Sequence, residues 1–422
     1  MLKAVILIGG PQKGTRFRPL SLDIPKPLFP VAGLPIIQHH IEACLSVNDL
    51  KEILIVGFYP VTQLQQFVND MQLQYNITIK YLQEFTALGT AGGLFHFRDQ
   101  IRSGSPDAFF VMNGDVCADF PLNELYKFHK ERSTVSLVTI MSTEATRQQS
   151  LNFGCLVLDK KSNEVTHYVE KPSSYVSTLI NCGVYVFSLK IFNVIGEAFN
   201  AKQEEYYKNN GNGSKDAGYI QLERDILTPL AGTGKLFALP INNWWSQLKT
   251  ASSAIYANRH YLELYRSKHP EKLAGGKQAE QCKIIPDVHI DASAQIHPTA
   301  VIGPNVSIGP GVIIEAGVRI RESIILDAAV IEERSLILHS IIGRNSKVGK
   351  WARVEGTPCD PDPNKPFAKM ENPRLFNDDG RLNPSITILG CSVSVPSETI
   401  LLNSIVLPNK ELSKSIKNEI IL

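Results

Sequence analysis

Cysteine is scarce and scattered in this sequence. The 422 residues include seven cysteines, and no two of them form a Cys-x-x-Cys pair. Zinc sites and small disulfide frameworks depend on closely spaced or evenly paired cysteines. The pattern therefore argues against a zinc-binding module and a disulfide-stabilised secreted domain, and it predicts free thiols in a reducing, cytoplasmic compartment.

An excess of charge of one sign and long hydrophobic runs are also missing. The chain has 43 Lys and Arg residues against 41 Asp and Glu residues, for a net charge of +2. This balance provides no basic surface for a polyanion, so nucleic acid is not an expected partner. No apolar run approaches the length of about 18 residues that spans a bilayer, and the apolar start Ala4–Ile8 is too short for a signal peptide. We therefore expect no membrane partner either.

Length and hydrophobic patterning indicate two domains. A single core rarely grows beyond about 250–300 residues. Strand-like and helix-like segments alternate up to residue 251, and the runs Ala4–Ile8 and Ala108–Met112 suit a sheet covered on both faces. We predict a Rossmann-like α/β domain with a mostly parallel sheet over residues 1–251, followed by a polar linker over residues 252–283.

A period of six residues begins after residue 284. Small or branched residues recur at Val288, Ala294, Ala300, Val306, Val312 and Val318, with isoleucines at Ile290, Ile296, Ile302, Ile308, Ile314 and Ile320. This period is neither helical nor that of an alternating strand, and it is typical of a left-handed β-helix of hexapeptide repeats. The repeat resumes out of phase at Ile325. We predict such a domain over residues 284–422 and expect it to support self-association, because stacked coils present flat faces to other subunits.

An inserted loop over residues 357–385 interrupts this repeat. It is rich in proline, aspartate and asparagine, and a strand pattern returns at Ile386–Gly390. Loops of such length are uncommon in compact domains and are either functional or disordered. Two interpretations stay open, a loop that contacts a partner or ligand and a mobile loop without such a role.

The first thirty residues carry the clearest functional pattern. The apolar run Leu2–Ile8 ends in a glycine-rich, cationic segment. This segment includes Gly9, Gly10, Gly14, Thr15, Arg16, Arg18 and Lys26. A buried strand that leads into such a segment places backbone N–H groups and cations around phosphate. The spacing is neither the Rossmann G-x-G-x-x-G nor the P-loop G-x-x-x-x-G-K-[ST].

Further polar motifs lie farther along the α/β region. They are Gln83-Glu84, Gly89-Thr90, Asn113-Gly114-Asp115, Asn152-Phe153-Gly154, Glu170-Lys171 and Asn181-x-Gly183. Functional residues of such domains collect at the carboxyl ends of strands. The motif Asn113-Gly114-Asp115 directly follows an apolar strand pattern, and at such a strand end the Asp115 carboxylate can bind Mg²⁺ beside nucleotide phosphates. Taken alone, Leu88-Gly89-Thr90 also fits a plain helix start with a threonine cap.

Together these motifs resemble the signature of the nucleotide-sugar pyrophosphorylases, GG-x-GTR-x-RPLT with PKP, LGTAG, EKP and N-x-G. The resemblance covers the whole chain and is strongest to the mannose-1-phosphate guanylyltransferases, which make GDP-mannose. It implies a phosphate-binding role for Gly9, Gly10, Gly14, Thr15, Arg16 and Lys26. It implies base recognition by Gln83, Glu84, Gly89 and Thr90, and sugar or phosphate contacts from Asn113, Gly154, Glu170, Lys171 and Asn181. Asp115 occupies the position of the family's metal aspartate.

Two departures from the family pattern fall on the chemistry. The residues Pro11-Gln12-Lys13 stand where the family has one residue, and Ser246 stands where it has a second metal aspartate. A serine hydroxyl brings no negative charge, so we expect ligand binding without fast turnover, and no catalytic residues. Gln247 remains as a polar contact for the sugar or the phosphate.

Within the family, the segments GGPQKGTRFRPL and NWWSQLK are similar to those of the animal alpha subunits. This likeness implies a regulatory subunit that binds GDP-mannose, requires no cofactor beyond Mg²⁺ carried by the nucleotide, and inhibits a catalytic beta subunit. Such coupling is typically worth about 1–3 kcal/mol, and the loop 357–385 is its predicted carrier. Two alternatives stay open, an active Mg²⁺-dependent guanylyltransferase and a purely structural subunit like those of the translation-initiation exchange factor.

Overall fold

A computed structural model of the protein describes residues 1–11, 15–208, 218–275, 282–371 and 374–422. The described residues form two compact units. The first takes its residues from Met1–Lys13, Ile37–Trp245 and Asp362–Lys369, and the second from Gly14–Ile36, Ser246–Pro361 and Met370–Leu422. A short piece of the predicted loop, Asp362–Lys369, thus belongs to the first unit.

The first unit is built on a nine-stranded sheet. Its strands are β1 (Leu2–Gly9), β2 (Leu50–Gly57), β3 (Thr78–Gln83), β4 (Ala108–Asn113), β5 (Val138–Glu144), β6 (Gly154–Leu158), β7 (Val165–Glu170), β8 (Leu179–Phe187) and β9 (Leu236–Pro240). The order is β7-β6-β8-β4-β1-β2-β3, and β5 pairs with both β8 and β9. The pairings make β7 and β8 run against the other seven strands. The predicted Rossmann-like, mostly parallel sheet is confirmed.

Helices cover the faces of this sheet. They are Ile36–Leu45, Val61–Tyr75, Gly89–His96, Arg98–Arg102, Leu122–Glu131, Arg147–Ser150, Ile191–Lys208 and Thr228–Leu230, with a π-helix at Leu222–Leu227. The middle of β1 is fully buried at Ala4, Val5 and Ile6, as expected for a central strand with helices on both sides. Two further strands, Val116–Ala118 and Trp245–Gln247, have three residues each.

The second unit contains a β-helix of three parallel sheets. One sheet is Lys283–Ile284, Val301–Ile302, Arg319–Arg321, Leu336–Leu338, Arg353–Glu355, Ile400–Leu402 and Ile416–Lys417. The second is Val288–Ile290, Val306–Ile308, Ile324–Ile325, Ser340–Ile342, Thr387–Leu389, Ile405–Val406 and Ile420–Ile421. The third is Gln295–Ile296, Ile313–Ile314, Val330–Ile331, Lys347–Val348 and Ser394–Val395. The predicted hexapeptide β-helix is confirmed.

The change of phase in the repeat has a structural counterpart. Val301 pairs with Arg319, 18 positions along, whereas Arg319 pairs with Leu336, 17 positions along. One coil therefore lacks one residue, while Ile320 and Ile325 on either side of the gap both stay in the buried core. The deletion is absorbed at a corner, where Glu322 has a φ of 47°.

The predicted linker over residues 252–283 is wrong in its first half. Ala251–Lys268 is an 18-residue helix, which we call the flanking helix, and it belongs to the second unit. Its start is fixed by a capping box between Thr250 and Ser253, and Tyr261 and Leu262 are buried. Apolar residues at helical spacing gave the segment a face to bury, so it packs instead of linking. Residues 276–281 of the predicted linker lie outside the described part of the chain.

Two smaller findings bear on the class of protein. All seven cysteines are free thiols. Among the helices of the described residues, none has the length and apolar character to cross a bilayer.

Candidate functional site

The carboxyl ends of β1, β2 and β3 form a small cleft in the first unit. Its cavity volume is about 130 Å³, well below the roughly 300–1,000 Å³ of whole-ligand pockets. The lining residues are Leu7, Gly9, Gly10, Val56, Phe58, Glu84, Ala87, Leu88, Gly89 and Thr90. Five predicted residues (Gly9, Gly10, Glu84, Gly89 and Thr90) are thus brought together, and the volume suits one part of a ligand. We call this cleft the base-end cleft.

Glycine is required on two walls of the base-end cleft. Gly9 turns the chain out of β1 with a φ of 64°, and a Cβ on Gly10 would lie 2.7 Å from the Cβ of Phe58. Gly89 has a φ of 74°, and its Cβ would lie 2.4 Å from the carbonyl oxygen of Ile220. A side chain at Gly10 or Gly89 would therefore displace neighbouring atoms, and at Gly9 and Gly89 it would also be strained.

Glu84 and Gln83 end up in different surroundings. The Glu84 backbone N–H donates to the carbonyl oxygen of Gly57 at 2.7 Å, which fixes the residue at the end of β2. Its carboxylate lies where a Cβ on Gly93 would be, 2.2 Å away. Gln83 is the last residue of β3 and is half-buried, but it is not among the described residues that line the cleft.

Thr90 connects the base-end cleft to a buried carboxyl group. The helix Gly89–His96 begins here, but its N-cap makes no side-chain hydrogen bond. The Thr90 hydroxyl instead accepts from the Leu222 backbone N–H at 2.9 Å and donates to the Glu223 carboxylate at 3.4 Å. A helix therefore does begin at this segment, as the sequence predicts, but the predicted threonine cap is wrong.

A second group of predicted residues meets where β6, β7 and β8 lie side by side. Gly154 pairs with Glu170 across β6 and β7. The Tyr168 hydroxyl donates to the Glu170 carboxylate at 3.1 Å, and the Asn181 amide donates to Tyr168 at 3.1 Å and to Tyr185 at 2.8 Å. A Cβ on Gly154 would lie 2.2 Å from the Tyr168 hydroxyl. We call this group, with Lys171 and Glu223, the sugar-end cluster.

Burial sets the electrostatics of the sugar-end cluster. Burial, helped by the charge of Glu170, raises the pKa of Glu223. It also holds the pKa values of Tyr168 and Tyr185 well above the ordinary value, so both hydroxyls keep their protons. The Lys171 ammonium lies 3.4 Å from Glu170 and is largely exposed, which leaves it able to reach an anion. The cluster thus combines hydroxyl, amide, carboxyl and ammonium groups, which is the chemistry that binds a sugar phosphate.

Asn113 and Asp115 lie beside these groups at the end of β4. The Asn113 carbonyl oxygen is 3.1 Å from Nε2 of His40, and its side chain occupies the space that a Cβ on Gly183 would take, 2.6 Å away. Asp115 is half-buried. Within the described residues, no three His, Cys, Asp or Glu side chains are arranged to hold a metal ion. Asp115 fits the role of a single carboxylate ligand to Mg²⁺ that arrives with nucleotide phosphates.

The remaining predicted residues belong to the second unit, apart from Gly14, which lies outside the described residues together with Gln12 and Lys13. Thr15 and Arg16 are exposed in a short 3₁₀ turn, Thr15–Phe17, that Phe17 anchors against Phe29. Lys26 is half-buried at the start of another 3₁₀ turn.

Ser246 and Gln247 have polar atoms in need of partners. Ser246 is 4% exposed, and its hydroxyl makes no hydrogen bond to the described residues. The Gln247 side-chain oxygen is likewise buried without a partner in the described part of the chain. Buried polar atoms without partners are costly. The Ser246 hydroxyl is therefore suited to donate a hydrogen bond to a bound ligand or accept one from it, and the Gln247 oxygen is suited to accept one.

Part of the predicted loop docks on the first unit. We call Asp362–Lys369 the docking segment. The Gln149 side-chain amide donates to the Lys369 carbonyl oxygen at 2.7 Å and accepts from the Lys369 N–H at 2.8 Å. The Lys369 ammonium lies 5.8 Å from the Trp245 ring centre, and burial lowers its pKa. Trp245 also packs edge-on against Phe153, next to Gly154, so the docking segment adjoins the sugar-end cluster.

Tyr168 and Tyr185 were missed from the sequence, whereas Glu223 stands where the resembled family has an E-x-E motif, which implies a supporting role behind the residues that contact the ligand. Tyr168 precedes Glu170 by two residues on a strand, and strand alternation places both on one face. That spacing was a usable signal. Tyr185 had no comparable signal, because its part depends on distant segments that meet in the fold.

Family models match both parts of the chain. The nucleotidyl transferase model matches residues 3–217, and the model of the GMPPB C-terminal domain matches residues 284–422.

Similar proteins match over their full length. The chain is 69% identical to the mannose-1-phosphate guanylyltransferase regulatory subunit alpha of Drosophila melanogaster. It is 57% identical to regulatory subunit alpha-A of Danio rerio and 54% identical to regulatory subunit alpha of Rattus norvegicus, and each comparison covers 100% of both chains.

A solved structure from Bacillus anthracis, described as a glucose-1-phosphate thymidylyltransferase, shares 20% identity and a TM-score of 0.50. It covers 66% of this chain and 99% of its own. At this identity the likeness concerns the fold alone.

Proposed function

Because this chain belongs to the family of mannose-1-phosphate guanylyltransferase regulatory alpha subunits, we propose that its first unit is a binding site for GDP-mannose. In this role the chain senses the product and lowers the activity of a catalytic beta subunit. The observation that carries the proposal is the contact between Thr90 and Glu223, which links the base-end cleft to the sugar-end cluster.

The base-end cleft supports the guanine half of the proposal. A guanine base presents N–H donors on its pairing edge, and the carboxylate of Glu84 is an acceptor. The glycines at Gly9, Gly10 and Gly89 let a flat ring approach the backbone.

The sugar-end cluster supports the mannose half. Sugar hydroxyls both donate and accept, and Glu170 accepts while Asn181 can do both. Glu223, with its raised pKa, retains a proton over a wider pH range than an ordinary glutamate and can then donate to a hydroxyl. The exposed Lys171 ammonium suits the diphosphate.

The proposed absence of fast turnover depends on Ser246. An in-line transfer at phosphorus relies on charge neutralisation by metal ions and cations. Asp115 offers one carboxylate, while Ser246 offers a neutral hydroxyl where the family has an aspartate. The chain's own residues therefore hold and orient the ligand, but they lack the second carboxylate that would bind metal for the phosphoryl transfer.

Calorimetric titration of the full chain with GDP-mannose tests this function. We expect saturable binding at one site per chain. With GTP, mannose 1-phosphate and Mg²⁺ in the cell, we expect no pyrophosphate release at enzyme-like rates. Pyrophosphate release at such rates would instead identify an active guanylyltransferase, and the absence of any binding would leave a structural subunit.

We further propose that the loop 357–385 carries the regulatory signal to the beta subunit. Its docking segment contacts Gln149 and Trp245, and Trp245 packs on Phe153 at the edge of the sugar-end cluster. A ligand that shifts this edge changes the contacts of the docking segment.

The β-helix exposes large apolar side chains at Ile313, Trp351 and Ile400, which support the proposed self-association.

Removal of this loop is expected to uncouple binding from inhibition. A Cβ on Gly356 would lie 2.5 Å from the Cα of Ile386, so the loop's two ends are adjacent. Replacing residues 357–385 by two glycines therefore leaves the coils paired. In the complex with the beta subunit, we expect inhibition by GDP-mannose to weaken at least about fivefold, the lower end of typical coupling, with GDP-mannose still bound.

The Gln149→Ala variant tests the same role with a single substitution, and we expect it to weaken the inhibition by GDP-mannose in the same direction as the loop deletion. It removes both bonds to Lys369, and Gln63→Ala, an exposed helical glutamine, is the control. Feedback of normal size in the loop-deleted complex would overturn the role of the loop while leaving the GDP-mannose site intact.

A further inference from the structure

The second unit contains a large cleft of its own. Its cavity volume is about 740 Å³, within the roughly 300–1,000 Å³ of small-molecule sites. Every lining residue belongs to the second unit, so the cleft is distinct from the base-end cleft. We call it the arginine cleft.

One wall of the arginine cleft is apolar for a reason visible in the strand register. Ile388 pairs with Ile405, and Ile405 with Ile420, so the three stack on one outer face of the β-helix. These isoleucines continue a ladder of paired, outward-facing isoleucines that begins at Ile324 and Ile341, and those two side chains are 1% and 0% exposed. Ile405 and Ile420 are only half-buried and face the cleft. The ladder thus continues beyond its covered part and presents apolar surface to a cavity.

The other wall is cationic. Arg16, Arg18 and Arg374 line the cleft, and its described lining contains no aspartate or glutamate. Arg16 and Arg18 make no ion pair within the described residues, and the contact of Arg374 with Asp378 is 3.8 Å long and fully exposed. Such an exposed pair contributes little.

The flanking helix adds to this positive potential. Thr250, Ala251 and Ser252 line the cleft, and the 18-residue helix begins at Ala251. The N-terminus of a helix carries a partial positive charge. Three guanidinium groups, a helix N-terminus and an apolar wall therefore share one cavity.

We propose that the arginine cleft binds an amphipathic anion, a phosphate ester carried on an apolar body. The arginines bind the phosphate, because guanidinium groups pair with it in bidentate fashion. Ile405, Leu407 and Ile420 bury the apolar body, which removes their surface from water. A nucleotide sugar does not match this wall, because its hydroxyl groups would be buried against isoleucine side chains that offer no hydrogen bonds. The cleft shares no residue with the base-end cleft or the sugar-end cluster. We therefore assign Thr15 and Arg16, for which the family resemblance implies phosphate binding, to this second ligand.

Calorimetry of the full chain with 1-octyl phosphate tests the proposal. Octyl phosphate is expected to bind saturably, while inorganic phosphate and 1-octanol are each expected to bind at least about tenfold more weakly. The double variant Arg18→Gln, Arg374→Gln is expected to weaken octyl phosphate binding about tenfold or more, since two charge-assisted contacts are lost. Arg319→Gln, an exposed arginine on another sheet of the β-helix, is the matched control and is expected to bind as the wild type does.

Several results would overturn the proposal. Equal binding of octanol would show an apolar groove without selectivity, and equal binding of inorganic phosphate would show a plain anion site. Equal affinity in the double variant and the wild type would show that the arginines are not involved. Full competition between octyl phosphate and GDP-mannose would show a single shared site, whereas GDP-mannose binding of normal strength in Arg374→Gln supports two sites.

Discussion

Replacing Gly154 with alanine is expected to weaken GDP-mannose binding on the order of 100-fold. The new Cβ would lie 2.2 Å from the Tyr168 hydroxyl and 2.8 Å from the Glu170 carboxylate, distances at which atoms must move apart. Tyr168 is the shared partner of Glu170 and Asn181. Its displacement would move Glu170 and Asn181 out of the positions from which they bond to the sugar, and the loss of two hydrogen bonds to the ligand, one of them to a charged group, is worth roughly 3 kcal/mol.

Titration of the Gly154→Ala variant with GDP-mannose measures this effect. Gly196→Ala is the control, since Gly196 lies within the helix Ile191–Lys208 and its Cβ would come no closer than 3.5 Å to Phe95. An alanine there favours the helix and should leave the affinity unchanged. Wild-type affinity in Gly154→Ala would mean that the sugar-end cluster does not hold the ligand. Loss of binding in both variants would point to general unfolding, which circular dichroism would reveal.

The strands and coils were predictable where their pattern is local. The run Ala4–Ile8 became the centre of β1, and the six-residue repeat located nearly every inward-facing residue from Val288 to Ile320. In both cases the signal is a burial pattern that each segment carries in its own residues. The strand β9 and the helix Ile191–Lys208 were not predicted. The strand is a five-residue apolar run, which periodicity alone does not distinguish from a buried helix segment. In the helix, apolar residues are interspersed with polar ones, and their burial comes from packing in the finished fold.

The flanking helix shows the limit of composition as a guide. Its polar character suggested a linker, whereas burial of Tyr261, Leu262 and Tyr265 on one face holds it in the second unit. At the candidate site, the motifs indicated Gly9, Glu84 and Thr90 together, and the structure groups them in the base-end cleft. The Thr90–Glu223 contact joins residues 133 positions apart, so no local pattern could reveal it.

Acidification from pH 7 to pH 5 is expected to cost the folded protein about 2 kcal/mol of stability through His129 alone. This histidine is 3% exposed in the helix Leu122–Glu131, and its Nδ1 lies 2.8 Å from the Thr139 hydroxyl. Burial lowers its pKa from 6.5 to about 4. Between those values the unfolded chain binds a proton that the folded chain does not, so stability falls as the pH falls through this window. Over about 1.5 pH units below 6.5, at 1.36 kcal/mol per unit, the loss is about 2 kcal/mol.

Urea denaturation at pH 7 and pH 5 separates this contribution from other titrating groups. In His129→Gln, the side chain stays neutral at both pH values and can still bond to Thr139, so its loss of stability on acidification should be smaller than that of the wild type by about 2 kcal/mol. His167→Gln replaces an exposed histidine on β7 and should lose as much as the wild type. If His129→Gln and the wild type lose the same stability, His129 takes up its proton in the folded state. The helix Leu122–Glu131 would then have to open enough to admit water at ordinary pH, because a buried imidazole stays neutral as long as its surroundings remain dry.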